Sequence, residues 1–446
     1  MKNSHLGIVL FLCVLCGALL PACSTGRSTP SSPNPAQPGK PNAGRPGNET
    51  MDTVRWSTPP QARPPIGNDK KQEENAPRPG QTYQIGLLLP FLSNQFDGST
   101  LPEKSRLAVQ FYGGAKLALQ QLSSEDRLNL VVDVYDTQAA DADFQTVMNG
   151  SRFDKPQVYI GPIRSSHVEL LAARTKLNHK ILLSPESPNE NLTTQNPGFL
   201  QTNPSLKTHC EAITQYVRRT HRPEEVVLVC KQKEATRLSY FQEANRQLGS
   251  GKFAEIIVPD AAANFDNVNL ASYLKAGRTT VFILPSWSNQ DFVMAFLRKL
   301  RAVKGAARVE VYGMPQWLNY ENIEPEFYSA LDVHVSSAAY IDYGAPDVQA
   351  FQQAFYDAYG TLPDDDAFNG YDVTLFTGKM LRKYGLSFPE KLAREQYKGL
   401  RTRFQFGPNY QSGTPADTRA GACDYLENKF VFILKFENGR FVPAFD

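Results

Sequence analysis

From residue 82 onward the chain repeats one unit: a short apolar segment, a polar loop, then a stretch with helical periodicity. Segments at residues 83–89, 128–135, 157–160 and 180–183 form one series. Those at 226–230, 253–258, 280–284 and 309–312 form a second. A short, uniformly apolar run bounded by polar loops suits a strand buried on both faces, and helices between such strands impose parallel pairing. Two series therefore predict two doubly wound α/β lobes. The roughly 365 residues involved also exceed what one core holds. Within residues 104–122, Leu107, Phe111, Ala115, Ala118 and Leu122 recur at helical spacing. Pro204-Ser205-Leu206 opens a further helix with Ser205 as its N-cap. Helices are predicted at 348–359 and 367–384, and a closing hairpin from 429–436 and 440–442 turns on Asn438-Gly439.

The amino terminus has a different texture. Lys2 precedes an uncharged apolar run over residues 6–20, long enough for a signal peptide and too short to span a bilayer. Leu20-Pro21-Ala22-Cys23 follows, and this stretch resembles the lipobox of bacterial lipoproteins. That resemblance implies removal of residues 1–22 and lipidation of Cys23; the other reading is ordinary secretion with cleavage after Ala22. Residues 23–81 are rich in Pro, Gly, Ser and Asn and too poor in apolar side chains to offset the entropy of ordering, so they read as a disordered linker. A flexible chain of that length spans about 40 Å.

Cysteine use agrees with an oxidising compartment only in part. Cys13 and Cys16 fall in the removed segment, which leaves Cys210, Cys230 and Cys423 beside the lipidated Cys23. A Cys210–Cys230 disulfide and three small buried hydrophobes both fit that odd number. The formal charge of +2, with no basic cluster interleaved with aromatics, offers no case for nucleic-acid binding. There is no G-x-S-x-G, G-x-G-x-x-G or P-loop pattern, and His167, His179, His209, His221 and His334 lack metal-ligand spacing. Asp364-Asp365-Asp366 reads as a solvated turn. Neither an enzyme nor a cofactor is expected.

The order and texture of the body resemble the type I periplasmic solute-binding proteins, the leucine/isoleucine/valine-binding and receptor ligand-binding-region superfamily. The stretches that carry the likeness are IGLLLPF (85–91), YGGAKLALQQL (112–122), VVDVYDTQ (131–138), YIGPIRSS (159–166), ILLSPESPNENLT (181–193), NPGFLQTNPS (196–205) and FYDAYGTLPDDDAFNGYDV (355–373). The resemblance implies lobes at 82–204 plus 333–385 and at 205–332 plus 386–446, joined by a hinge and facing each other across a cleft. Ligands of open α/β sheets bind beyond the carboxyl ends of the strands, so loops of both lobes line that cleft.

Carried over residue by residue, the resemblance implies solute contacts at Ser165, with Ser166 adjacent, and at Ser184, Glu186 and Ser187 in the first lobe. In the second it implies Tyr240, Ser286, Trp287, Gln316 and Trp317. Ser165 has a second explanation as a helix cap. Pro188 stands where the family has a threonine, and it offers neither hydroxyl nor N–H. Glu186 puts a negative charge where a solute carboxylate would dock, which counts against a free amino acid as ligand. Trp287, Trp317, Tyr320, Tyr340 and Tyr343 follow strands, where aromatic faces suit rings, sugars and peptides. Asp136 and Asp372 are expected to be structural.

Two roles follow from the resemblance. One is a lipid-anchored protein on the periplasmic side of a bacterial membrane, the outer membrane favoured, that captures a small molecule for an ABC permease or sensor. The other is a lipoprotein regulator that binds a cell-wall synthase. Both need the anchor. Replacing Cys23 with Ser should move the protein from the membrane to the soluble fraction on cell fractionation; retention with membranes would rule the anchor out.

Overall fold

The computed structural model describes residues 51–56, 80–261, 265, 267–410 and 423–444. The expected signal segment, Cys23 and most of the expected linker lie outside the described residues. The chain begins with β1 (Met51–Trp56), β2 (Thr82–Leu89), α1 (Arg106–Ser124), β3 (Asn129–Asp136), α2 (Asp141–Met148), β4 (Val158–Ile160), α3 (Ser165–Leu177), β5 (Ile181–Ser184) and β6 (Phe199–Gln201). It continues through α4 (Leu206–Val217), β7 (Val226–Lys231), α5 (Leu238–Leu248), β8 (Ala254–Val258), β9 (Thr280–Ile283), α6 (Gln290–Val303), β10 (Val309–Gly313), α7 (Pro325–Ala330) and β11 (Val333–Ser337). The last part holds α8 (Pro346–Tyr359), α9 (Asp365–Tyr384), β12 (Tyr397–Lys398), β13 (Arg403–Phe404), β14 (Phe406–Asn409), β15 (Tyr425–Asn428), β16 (Phe432–Glu437) and β17 (Arg440–Pro443).

Two sheets result. The first has the order β1-β3-β2-β4-β5-β6-β15-β14, and the second β17-β16-β11-β10-β9-β7-β8. Strands β3, β2, β4, β5, β6 and β15 are parallel, as are β11, β10, β9, β7 and β8. Both faces of the first sheet are covered, as its uniformly apolar strands require. Ile85, Leu87 and Leu89 join the core shared with α1 and α9, while Leu88 packs with Phe144 and Leu171 on the other face. The second lobe has its own core around β7, β9, β10 and β11. Among the described residues, no helix is long and apolar enough to cross a membrane.

The structure corrects three expectations. β11 lies in the second sheet and β14 and β15 in the first, so residues 333–337 belong with the second lobe and 406–409 and 425–428 with the first. The reason is pairing: β11 completes the parallel series beside β10, and β15 finds its parallel partner in β6. Within the linker, Met51–Trp56 forms an ordered strand, antiparallel to β3 from Met51 opposite Tyr135 to Trp56 opposite Leu130. It satisfies the edge that β3 would otherwise leave open. Cys210 and Cys230 are free thiols, each buried in the second core, so they act as small hydrophobes rather than as a disulfide.

Local signals hold where their chemistry is specific. The Ser205 hydroxyl accepts the Thr208 amide at 3.3 Å and caps α4. The β16–β17 hairpin turns on Asn438 and Gly439, both at positive φ, as a type I′ turn demands. Asp136 accepts the amides of Leu92, Ser93 and Gln138, and Asp372 those of Leu400, Arg401 and Thr402. Asp364 is the N-cap of α9, not part of a solvated turn.

Helices α1 and α9 run side by side at a separation that only glycine permits. A β-carbon on Gly114 would collide with the Ala367 carbonyl oxygen, and one on Gly370 with that of Phe111. Helix propensity alone favours Gly114→Ala by about 1 kcal/mol. The contact reverses the sign: the variant should be destabilised by about 1–3 kcal/mol in denaturant unfolding. A variant as stable as the parent would mean that the helices are not this close.

Candidate functional site

Strands β4 and β5 are parallel neighbours, so the loops after them emerge side by side. This brings Ser165 and Ser187 together, with their hydroxyl oxygens 2.8 Å apart. Ser165 is the first residue of α3; the N-cap is Arg164, with no side-chain cap bond, so the Ser165 hydroxyl is not used to close the helix. Ser166 donates to Asp141 Oδ1 at 2.8 Å. Ser184 is fully buried and its hydroxyl has no hydrogen-bond partner. Glu186 is engaged by the Asn369 side-chain amide of α9. Burial pushes the Glu186 carboxyl above the usual range, against the pull of Arg401. Burial and the charges of Glu186, Asp364 and Asp365 likewise raise Asp366 to about 7. The first-lobe wall therefore combines hydroxyls with carboxyls that resist ionisation.

On the other lobe, β7, β9 and β10 lie in adjacent positions, so the loops after them emerge side by side where the resemblance expects the second wall. Ser286 is buried with an unpartnered hydroxyl, and Gln316 keeps an unpartnered amide oxygen. Trp287 is half-buried, with its ring edge-on to His209 at 6.0 Å between centroids. Trp317 is a correction. It is 1% exposed, its ring lies against Gly313 within the second core, and its indole N–H donates to the Ser286 carbonyl at 3.2 Å. It supports the wall from behind and has no surface to offer a solute. Tyr343 is exposed and Tyr340 packs near Phe432, both on the second crossing between lobes.

Two further residues near these loops, Glu234 after β7 and His209 on α4, are not marked by the sequence. Glu234 is 4% exposed; Oε1 accepts from Arg237 at 2.9 Å, while Oε2 has no partner. His209 is buried, its Nδ1 lacks a partner, and desolvation lowers its pKa to about 4, so the ring is neutral near pH 7. Glu234 does follow the first strand of the second series, where a contact loop belongs. The family pattern directed attention to Tyr240 instead, and nothing in the local sequence marks His209 as more than an interior helix residue.

Tyr240 is where the lobes meet. Its hydroxyl donates to Glu190 Oε2 at 3.3 Å, and the Lys207 amide donates to Glu190 Oε1 at 3.2 Å. Glu190 belongs to the loop between β5 and β6 of the first lobe; Tyr240 sits on α5 of the second. A cavity of about 670 Å³ lies elsewhere, between α4 and β14 along the third crossing, and none of the residues expected to touch a solute lines it.

The matching family model, described as periplasmic binding protein, spans residues 108–423, more than half of the 446-residue chain. No curated protein matches the chain. Among solved structures, a putative branched-chain amino acid ABC transporter protein of Rhodospirillum rubrum is 17% identical, with a TM-score of 0.59, covering 82% of this chain and 100% of that one. A branched-chain amino acid ABC transporter periplasmic ligand-binding protein of Burkholderia xenovorans is 11% identical, with a TM-score of 0.54 and coverage of 81% and 94%. An ABC transporter substrate-binding protein of Desulfitobacterium hafniense, in complex with Leu, is 18% identical, with a TM-score of 0.50 and coverage of 82% and 100%. At such identities the likeness is one of fold. The family match over residues 108–423, on a chain folded as two doubly wound lobes, shows that the protein belongs to the periplasmic binding protein family.

Proposed function

We propose that the chain is a lipid-anchored extracytoplasmic solute-binding protein that closes its lobes on a small ligand and presents it to an ABC-type transporter or sensor. One observation carries this reading. Buried polar atoms without partners occur at or just beyond strand carboxyl ends in both lobes: Ser184 at the end of β5 in the first, and Glu234, Ser286 and Gln316 in the second. Buried polar groups are nearly always satisfied, and a solute bound between the walls would supply the missing partners. Ser165, Ser166, Ser187 and Tyr240 add hydroxyls, and Trp287 adds an aromatic face. The second-lobe carboxylate suits a donor group such as an amine, and the buried Glu186 carboxyl, which resists ionisation, adds a polar group on the first-lobe side. An amino-acid-like, peptidic or other small polar or aromatic solute fits this combination. ABC transporter substrate-binding proteins among the structural neighbours agree with such a role.

The regulator reading is favoured by Pro188, which removes a hydroxyl and an N–H from the first-lobe wall. A thermal-shift panel of amino acids, peptides, sugars and aromatic acids separates the two. A solute at 100 times its Kd should add about 2.7 kcal/mol of stability. Glu234→Gln should then weaken that solute about tenfold, the scale of one charge-assisted hydrogen bond. No hit, together with recovery of a cell-wall synthase in pull-down, would favour the regulator. A hit bound equally well by the Gln variant would refute the assignment of the second-lobe wall.

A further inference from the structure

We infer that Glu190 is a positioning and specificity-determining residue that latches the lobes shut by filling, from the first lobe, an anion position on the second. This rests on the solute-binding reading above. The position has two donors on two different helices. One is the Lys207 amide in the first turn of α4, where backbone N–H groups lack helical partners; the other is the Tyr240 hydroxyl on α5. Each donor takes a different oxygen of one carboxylate, so the group is gripped at both ends. The helix dipole adds attraction for negative charge at that end of α4.

The geometry has a consequence for selection. Tyr240 is the residue that the family resemblance assigns to the solute, and here its hydroxyl is engaged by the protein's own carboxylate. A solute carboxylate seeking the same donors has to displace Glu190, whereas a solute that binds through hydroxyl or amine groups at Glu234 and Ser286 does not. The latch thus biases the cleft against anions and stabilises closure before any solute arrives, which lowers the conformational cost of binding for solutes that leave it in place.

Hydrogen exchange of the full-length, solute-free protein tests the latch without a known ligand. In Glu190→Ala the Lys207 amide should exchange about tenfold faster, the factor that corresponds to loss of one charge-assisted hydrogen bond. Acetate, a free carboxylate of the same chemistry, should restore protection in that variant, and chloride at equal ionic strength should not. Amides of β7 should be unchanged in every case, which reports an intact second lobe. If the alanine variant does not fold, Tyr240→Phe keeps the ring and the Glu190 carboxylate; only a smaller acceleration at Lys207 is read there, and the acetate comparison belongs to Glu190→Ala alone. Unchanged Lys207 exchange, or an acceleration that acetate reverses no better than chloride, would overturn the proposal. Because no solute is present, this result is independent of whether the panel finds a ligand, so the two readings fail separately.

Discussion

One buried carboxylate organises the junction between the lobes. Glu427, with no exposed surface, lies at the end of β15. Its Oε1 accepts the Ser205 amide at 2.8 Å and the Thr208 hydroxyl at 2.6 Å, both at the start of α4. Its Oε2 accepts from Asn409 and from the Lys429 ammonium, each at 2.6 Å. Burial alone would raise its pKa, but Lys429 and the hydrogen bonds outweigh it and hold the group below the usual range. The first crossing, at residues 202–205, and the third, at 429–431, are thereby tied to the same anion. Asn428 repeats the pattern beside it, donating to the Thr202 and Arg403 carbonyls and accepting the Gln405 and Phe430 amides. Removing the carboxylate would leave several buried donors unmatched at once.

The second crossing hangs on a different anchor. The Tyr340 amide donates to the Arg401 carbonyl, and the Thr402 hydroxyl to that of Ala338. The 400–402 loop is itself held by Asp372 of α9, and α9 is pressed against α1 through its glycines. The lobes are therefore joined by three short connections whose ends are fixed by buried charge and close helix packing. That arrangement is what a hinge needs: rigid bodies, few moving dihedrals.

Much of this was legible in the sequence because it depends on local chemistry. Apolar segments of strand length, the Ser205 cap and the Asn438-Gly439 turn each have one favoured structural answer. The lobe assignment of β11, β14 and β15 was not, because strand partners far apart in sequence leave no local mark. Nor was the edge strand at Met51–Trp56, since a single short strand inside a Pro- and Gly-rich segment is stabilised only by the edge it covers. The site divides similarly. Ser165 and Ser187 come together as neighbouring loops predict, while Trp317 turns inward because the loop after β10 folds its ring over Gly313. Glu190, His209 and Glu234 acquire meaning only from what the folded chain places beside them: Tyr240 and the Lys207 amide, Trp287, and Arg237.

The central claim is that two rigid lobes move about these crossings and that a solute shifts them toward closure. The most direct measurement is the distance between spin labels at exposed positions 177 on α3 and 248 on α5, one per lobe, by pulsed electron paramagnetic resonance. The account predicts a distribution that shifts or narrows when a stabilising solute is added. One narrow distance, unchanged by every solute that raises the melting temperature, would contradict it.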